Sequence, residues 1–150
     1  MNSSDTEEAV ARYIQQDAFA AHLGIAIEVV GPGHGRAALT VTEKMINSHQ
    51  TTHGSVLFAL SDMAFAAASN SHGRLAVALN VSISFLKATR PGDHLIADAT
   101  EIHLGGRTGL YEVVIRNAGT GEVVATSQNL AYRKNERIVP ETEQGGRNRV

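Results

Sequence analysis

The sequence predicts an α+β domain in which one antiparallel sheet wraps a single long helix. Three observations point there. Gly54–Ser71 (GSVLFALSDMAFAAASNS) is Ala-rich, almost free of charge and too long for one strand, so it reads as a helix buried on most sides. Val77, Leu79, Val81, Ile83 and Phe85 alternate with Ala78, Asn80, Ser82 and Ser84, the period of a strand. Glycine-rich and Pro-Gly turn signals then cut the rest of the chain into strand-sized pieces. Strands with one segregated helix make an antiparallel α+β pattern.

In chain order, Ser4-Asp5-Thr6-Glu7 matches a capping box, in which a hydroxyl and a carboxylate satisfy the free amides of a helix start. It opens an amphipathic helix with Ala9, Val10, Tyr13, Ile14 and Ala18 at helical spacing. Gly24 suits the left-handed position past its end. Ile25–Val30 and Gly35–Val41 form a hairpin about Gly31-Pro32-Gly33-His34-Gly35. Thr42–Thr52 is a structured polar loop. The long helix follows and Gly73 ends it. A meander of four strands completes the domain: Val77–Phe85, Leu95–Leu104, Gly109–Asn117 and Val123–Arg133. The expected boundaries are one domain over 1–133 and a flexible tail over 134–150. One sheet covers only part of the helix, so the uncovered side predicts a second copy of the chain.

Composition narrows the chemistry. The chain has 150 residues, a formal net charge of −2, no Cys and no Trp. That length suits one domain. Without cysteine there is no disulfide, thiolate metal site or cysteine nucleophile. The charge gives no footprint for nucleic acid. The start, Met1-Asn2-Ser3-Ser4-Asp5, is polar and acidic rather than a secretory signal, and no stretch is apolar for about 20 residues. A cytoplasmic protein with neither a nucleic-acid nor a membrane partner is expected.

No Gly-x-Ser-x-Gly elbow and no Walker A loop occur. The Gly31–Gly35 run is explained by its turn. His49 and His53 are four apart but fall in a loop and lack the His-Glu-x-x-His pattern, so no metal site is expected. Asp62 needs the most explanation. It lies between Leu60 and Met63, near Phe58 and Phe65, in a helix with no other charge. Such a carboxylate faces a polar seam, accepts hydrogen bonds from Ser61 or backbone groups, or serves as a base or nucleophile. Gly54 begins the helix, where unpaired amides and the helix dipole favour a developing oxyanion. Eight residues separate it from Asp62, about 12 Å along the axis. One helix cannot bring both groups to one carbon, whereas two antiparallel copies about a two-fold axis can, and do so twice.

The stretch Asn47–Ala66 (NSHQTTHGSVLFALSDMAFA) resembles the motif region of hotdog-fold acyl-CoA thioesterases, the phenylacetic acid degradation (PaaI) type in particular. Asn47, His53, Gly54 and Asp62 keep that family's spacing, and the likeness spans roughly residues 8–133, through Leu23-Gly24-Ile25, Ala67–Ser71, Phe85 and Arg90-Pro91-Gly92. The resemblance implies the hotdog fold, a homodimer often paired into a dimer of dimers, and sites at the dimer interface. It implies that Asp62 activates water or attacks the thioester carbon. Gly54 donates its amide to the thioester oxygen, His53 flanks that oxygen, and Asn47 orients the water or the carboxylate.

The family's water-holding strand hydroxyl has candidates in Asn80, Ser82 and Ser84, with Ala78 where some relatives carry Ser. Ser55 stands where a second Gly is common, which tightens the acyl pocket or adds a hydroxyl near it. Phe58 is a candidate acyl contact or core residue. Lys87, Arg90 and Arg107 lie near expected turns, as CoA contacts or ordinary surface charges. The implied substrate is acyl-CoA, aryl-acetyl or similar, with no separate cofactor and a role in aromatic catabolism. The alternatives are a hotdog hydratase or dehydratase, and a non-catalytic acyl-CoA-binding module.

Overall fold

The computed structural model describes residues 2–138. The N-terminal segment forms two helices, α1 (Ser3–Ile14) and α2 (Ala18–Leu23), where one was expected. Asp17 makes the break. Its backbone is extended and its Oδ1 accepts from Ala20 N at 2.8 Å, so it caps a new helix instead of continuing the old one. The capping box sits two residues earlier than expected, with Asn2 as cap and Asp5 reaching back to it. Gly24 is left-handed (φ 74°) as expected and ends α2.

Strands β1 (Ala26–Gly31) and β2 (His34–Thr40) form the expected hairpin, closed by Pro32-Gly33. A 3-10 turn at Glu43–Met45 lies in the polar loop. The long helix α3 spans Gly54–Asn70. Then come β3 (Arg74–Phe85), β4 (His94–Leu104), β5 (Thr108–Asn117) and β6 (Val123–Arg137). β6 continues four residues beyond the expected domain end at 133, and Arg137 pairs with Arg74. The rest of the expected tail, from residue 139, lies outside the described residues.

The sheet is wholly antiparallel in the order β1-β2-β4-β5-β6-β3. It therefore corrects the expected four-strand meander. β4, β5 and β6 do run in sequence, but β3 lies beyond β6 as an edge strand, and the chain crosses back from it to β4. Twelve of the 17 residues of α3 are buried. The inner sheet face meets the helix with small residues, Ala37, Ala97, Ala99, Ala125 and Ala131, each nearly inaccessible. Ala64, Ala67 and Ala68 answer from the helix. Approach is closest at Gly35, where a Cβ would lie 2.6 Å from Ala64 O and Ala67 Cβ. A core built on alanine explains the low aromatic content. The large exceptions, Phe65 and Tyr111, pack edge to face at 5.5 Å.

Beyond its first residue, the residues of α3 that escape full burial fall on one stripe: Ser55, Phe58, Asp62 and Ala66. Phe58 is 41% exposed there. The free edge of β3 likewise presents Val77 and Leu79 to solvent. Among the described residues no helix is long and apolar enough to cross a membrane.

Candidate active site

The site is built around the start of α3. His53 is the helix cap. Its Nδ1 accepts from Ser55 N at 3.1 Å and lies 2.6 Å from Ser55 Oγ. A nitrogen that accepts a backbone N–H carries no proton, so the neutral ring keeps its proton on Nε2. The cap thus leaves His53 with one outward N–H donor. The Ser55 hydroxyl, the candidate group near the acyl pocket, is engaged by the His53 ring.

Gly54 is the first residue of α3, and its N–H has no partner among the described residues. A helix start carries partial positive charge, so this free amide is a ready oxyanion donor. A cavity of about 340 Å³ lies beside it, lined by Asn47, Thr51, Leu57 and the Phe85–Thr89 segment. The absent side chain matters for packing too, because a Cβ on Gly54 would stand 3.3 Å from the Phe85 ring.

The preceding loop is held by Asn47. Its Oδ1 accepts from His49 N (2.9 Å) and Thr51 N (3.2 Å), and its amide donates to Thr51 Oγ1 (3.0 Å). The loop is docked by His53 N donating to Met45 O and by a buried Thr89–Thr52 hydroxyl pair at 2.7 Å. Neither threonine stood out in the sequence, since a loop threonine carries no spacing signal.

Asp62 lies farther along the same helix. It is half-buried, and no hydrogen-bond partner meets its carboxylate among the described residues. Ser61 does not serve it, because Ser61 turns inward to Ser127 Oγ at 2.7 Å, which Asn129 also contacts at 2.8 Å. Burial raises the Asp62 pKa above the usual carboxylate value, and the charge of Asp17 adds to the rise. An unpaired, desolvated carboxylate is suited to accept a proton or attack an electrophile.

The other candidates divide. Phe58 shares the open stripe with Asp62, whereas Phe65 is core. Lys87 lines the Gly54 cavity and pairs with Glu122 at 3.1 Å. Arg90 is exposed at the turn that follows, where its backbone N–H bonds Asp93. Arg107 lies at the β4–β5 turn, bonded to Asn135 at 3.0 Å. β5 separates it from the Lys87 end by about 30 Å, so one protomer does not bring these two cations together.

Asn80, Ser82 and Ser84 pair with Leu130, Gln128 and Thr126. Paired residues share a sheet face, and this is the face away from α3, because the intervening Ala125, Ser127 and Asn129 are the buried ones. The protomer therefore does not bring Asn80 or Ser82 to its own helix. A bulge between Ala78 and Asn80 flips the alternation, and Ala78, paired with buried Ala131, takes the helix side. Among the described residues no cluster of His, Asp and Glu is arranged to hold a metal.

Known proteins share this architecture. The thioesterase superfamily model matches residues 49–124. The acyl-coenzyme A thioesterase PaaI of Escherichia coli K12 is 43% identical over 117 residues, 78% of this chain and 83% of that protein. The structure of E. coli PaaI, from the phenylacetic acid degradation operon, matches with a TM-score of 0.85 over 90% of this chain and 97% of that one, at 37% identity. A Streptococcus pneumoniae TIGR4 hypothetical thioesterase with coenzyme A matches with a TM-score of 0.76, at 28% identity over 84% of this chain and 98% of that one. The protein smu.793 of Streptococcus mutans UA159, bound to acetyl CoA, matches with a TM-score of 0.71, at 28% identity over 75% and 90%. With its long helix, its six-stranded sheet and this breadth of likeness, the chain belongs to the thioesterase superfamily, as a hotdog-fold thioester hydrolase of the PaaI type.

Proposed function

We propose that the protein hydrolyses an acyl-CoA thioester, aryl-acetyl-CoA or a related acyl-CoA, to the free acid and CoA at sites shared between two copies. The observation that carries this reading is the unpartnered Gly54 amide at the start of α3, beside a cavity and the outward His53 Nε2–H. A thioester oxygen placed there accepts both donors as the carbon becomes tetrahedral. Asp62 of the same chain is about 12 Å distant along the helix, so the attacking group comes from the other copy. As a base, Asp62 takes a proton from water while the water oxygen bonds to carbon. As a nucleophile, it forms an anhydride that water then opens. In both routes the C–S bond breaks and CoA thiolate leaves, taking up a proton.

The open Phe58–Asp62–Ala66 stripe and the apolar free edge of β3 support pairing of copies, because such surfaces invite a partner. We place the protein in the cytoplasm as a homodimer, with two dimers associating. Asn47 and Lys87 serve the CoA-side cavity, Arg90 lies beyond it, and a contact from Arg107 requires another copy. No metal or separate cofactor enters this chemistry. The similarity to E. coli PaaI, from the phenylacetic acid degradation operon, supports a role in freeing CoA during aromatic catabolism.

The test is CoA release from phenylacetyl-, hydroxyphenylacetyl-, benzoyl- and straight-chain acyl-CoAs by the protein and by Asp62→Asn. Release that falls at least about a hundredfold in the variant is expected for the loss of a base. Unchanged turnover in the variant contradicts the reading. Conversion of an enoyl-CoA without release of CoA makes the protein a hydratase instead.

A further inference from the structure

Polar side chains of α3 mostly bond locally. Ser55 meets His53, and Ser69 and Asn70 donate to Ala66 O. A helical serine commonly bonds back to its own helix in this way. Ser61 does not. It is 1% exposed, and its Oγ lies 2.7 Å from Ser127 Oγ on β6, where either hydroxyl can donate. Asn129, two residues further along β6, donates its side-chain amide to the same Ser127 oxygen at 2.8 Å. Among the described residues, Ser61–Ser127 is the one side-chain hydrogen bond from α3 to the sheet before the last helical turn, where Asn70 meets Ala76.

Stability does not call for this network. The buried face of β6 carries Ala125, Ser127, Asn129 and Ala131, and the fully buried Asn129 Oδ1 has no partner among the described residues. Turning the amide over would exchange an unmet acceptor for an unmet donor. Apolar groups of the same shape replace such a set with little loss of stability, or with a gain. What the polar groups supply is direction. Methyl-on-methyl contacts are non-directional, whereas a hydrogen bond fixes both distance and angle.

Direction matters at this turn of α3. Ser61 and Asp62 are consecutive, about 100° apart around the helix. Side chains reach about 5–6 Å from a helix axis, so a rotation of about 10° carries the Asp62 carboxylate about 1 Å. A displacement of about 1 Å can cost about a hundredfold in rate. Resting on the reading of Asp62 as base or nucleophile, we propose that Ser61, Ser127 and Asn129 are positioning residues. They lock the rotation of α3 against β6, and so aim the Asp62 carboxylate along the open stripe toward the thioester held by the other copy. Asn129 holds the Ser127 hydroxyl, Ser127 holds Ser61, and none of the three touches substrate.

The test measures kcat and KM for one acyl-CoA, per folded protein, in Ser61→Ala, Ser127→Ala, the double variant and a triple variant that adds Asn129→Val. Each is paired with a thermal melt followed by circular dichroism. Either single variant is expected to lower kcat about tenfold and leave KM within about twofold, because aim is lost and substrate contacts are not. The double variant is expected to lose no more than either single one, since both remove the same bond. The triple variant makes the network apolar. It is expected to melt no lower than the double variant while its kcat stays about tenfold below wild type. A kcat within about twofold of wild type in the folded triple variant overturns the proposal. So do losses in the single variants that multiply in the double variant. If a single variant fails to fold, the triple variant decides alone. Failure of the underlying reading is distinguishable, because it leaves Asp62→Asn as active as the wild type.

Discussion

The two ends of α3 are built to opposite rules. At its C-terminal end the polar groups are paired within the fold. Ser71 Oγ donates to Ala68 O and accepts from Gly33 N, and the Asn70 amide is tied to Ala66 and Ala76. His72 Nε2 and Tyr111 Oη both meet Glu101 Oε2 at 2.7 Å. At its N-terminal end the Gly54 amide is free and the His53 ring faces out beside an open cavity. Asp62, between them, is also unpaired. The difference separates polar groups that are satisfied within the fold from polar groups that, on the proposed reading, meet a substrate.

Gly54→Pro breaks the comparison most sharply. Proline is well tolerated at the first helical position, and His53, extended at ψ 134°, suits the residue before it. The substitution deletes an N–H that the fold does not use, and adds a ring whose Cβ stands 3.3 Å from Phe85. We expect turnover of an acyl-CoA to fall about 10²–10³-fold, as for other oxyanion donors. The helix should remain intact by circular dichroism, with Phe85 shifting slightly.

The closed end should respond in stability instead. Glu101→Gln is expected to cost about 1–3 kcal/mol in denaturant unfolding, the range for a hydrogen-bonded charged group. Burial opposes ionisation of Glu101, but hydrogen bonds from His72 and Tyr111 outweigh it and hold its pKa below the usual 4.5. A depressed carboxylate stabilises the fold fully above its unfolded pKa and loses that contribution as pH falls through the folded value. The wild type should therefore lose stability below about pH 4.5 more steeply than Glu101→Gln, which has no such charge to titrate.

Asp62 titrates with the opposite sign. If Asp62 is the proposed base, its raised pKa should place the acid limb of activity above the ordinary aspartate value of 3.8, with activity rising with pH through that limb as the carboxylate ionises. Removing the Asp17 charge should move the limb downward in a pH–rate profile. The smallest effect is expected for Ser55→Ala. It loses the hydroxyl beside His53 Nδ1 but keeps the Ser55 N–H bond that sets the tautomer, so turnover should change by about threefold or less.

Much of this division is legible in the sequence. Composition marks α3 as a buried helix, and the Gly54-to-Asp62 interval alone excludes a site within one helix. Less legible is whatever depends on pairing between distant strands. Strict alternation in β3 shows which residues share a face. A bulge of one residue near Leu79 then decides which of them meet the helix, moving Asn80 and Ser82 to the far side. Arg107 is recognisable as a turn residue, but which end of the sheet its turn occupies depends on strand order. The break before α2 turns on Asp17 preferring to cap, a local competition too small for periodicity to reveal. The position of His53, just ahead of a Gly-Ser helix start, is the slot of a cap, and that was a signal available to find its bond to Ser55.

The central claim is that each site takes Asp62 from one copy and the Gly54 amide from the other. Mixing Asp62→Asn with Gly54→Pro under conditions of subunit exchange, with differently tagged chains to confirm the mixed dimer, tests it most directly. A mixed dimer then holds one site with both native groups and one with neither. Equimolar exchange should restore about a quarter of wild-type activity, half the dimers carrying one native site of two. Mixed dimers that form but remain as inactive as either parent would contradict the shared site.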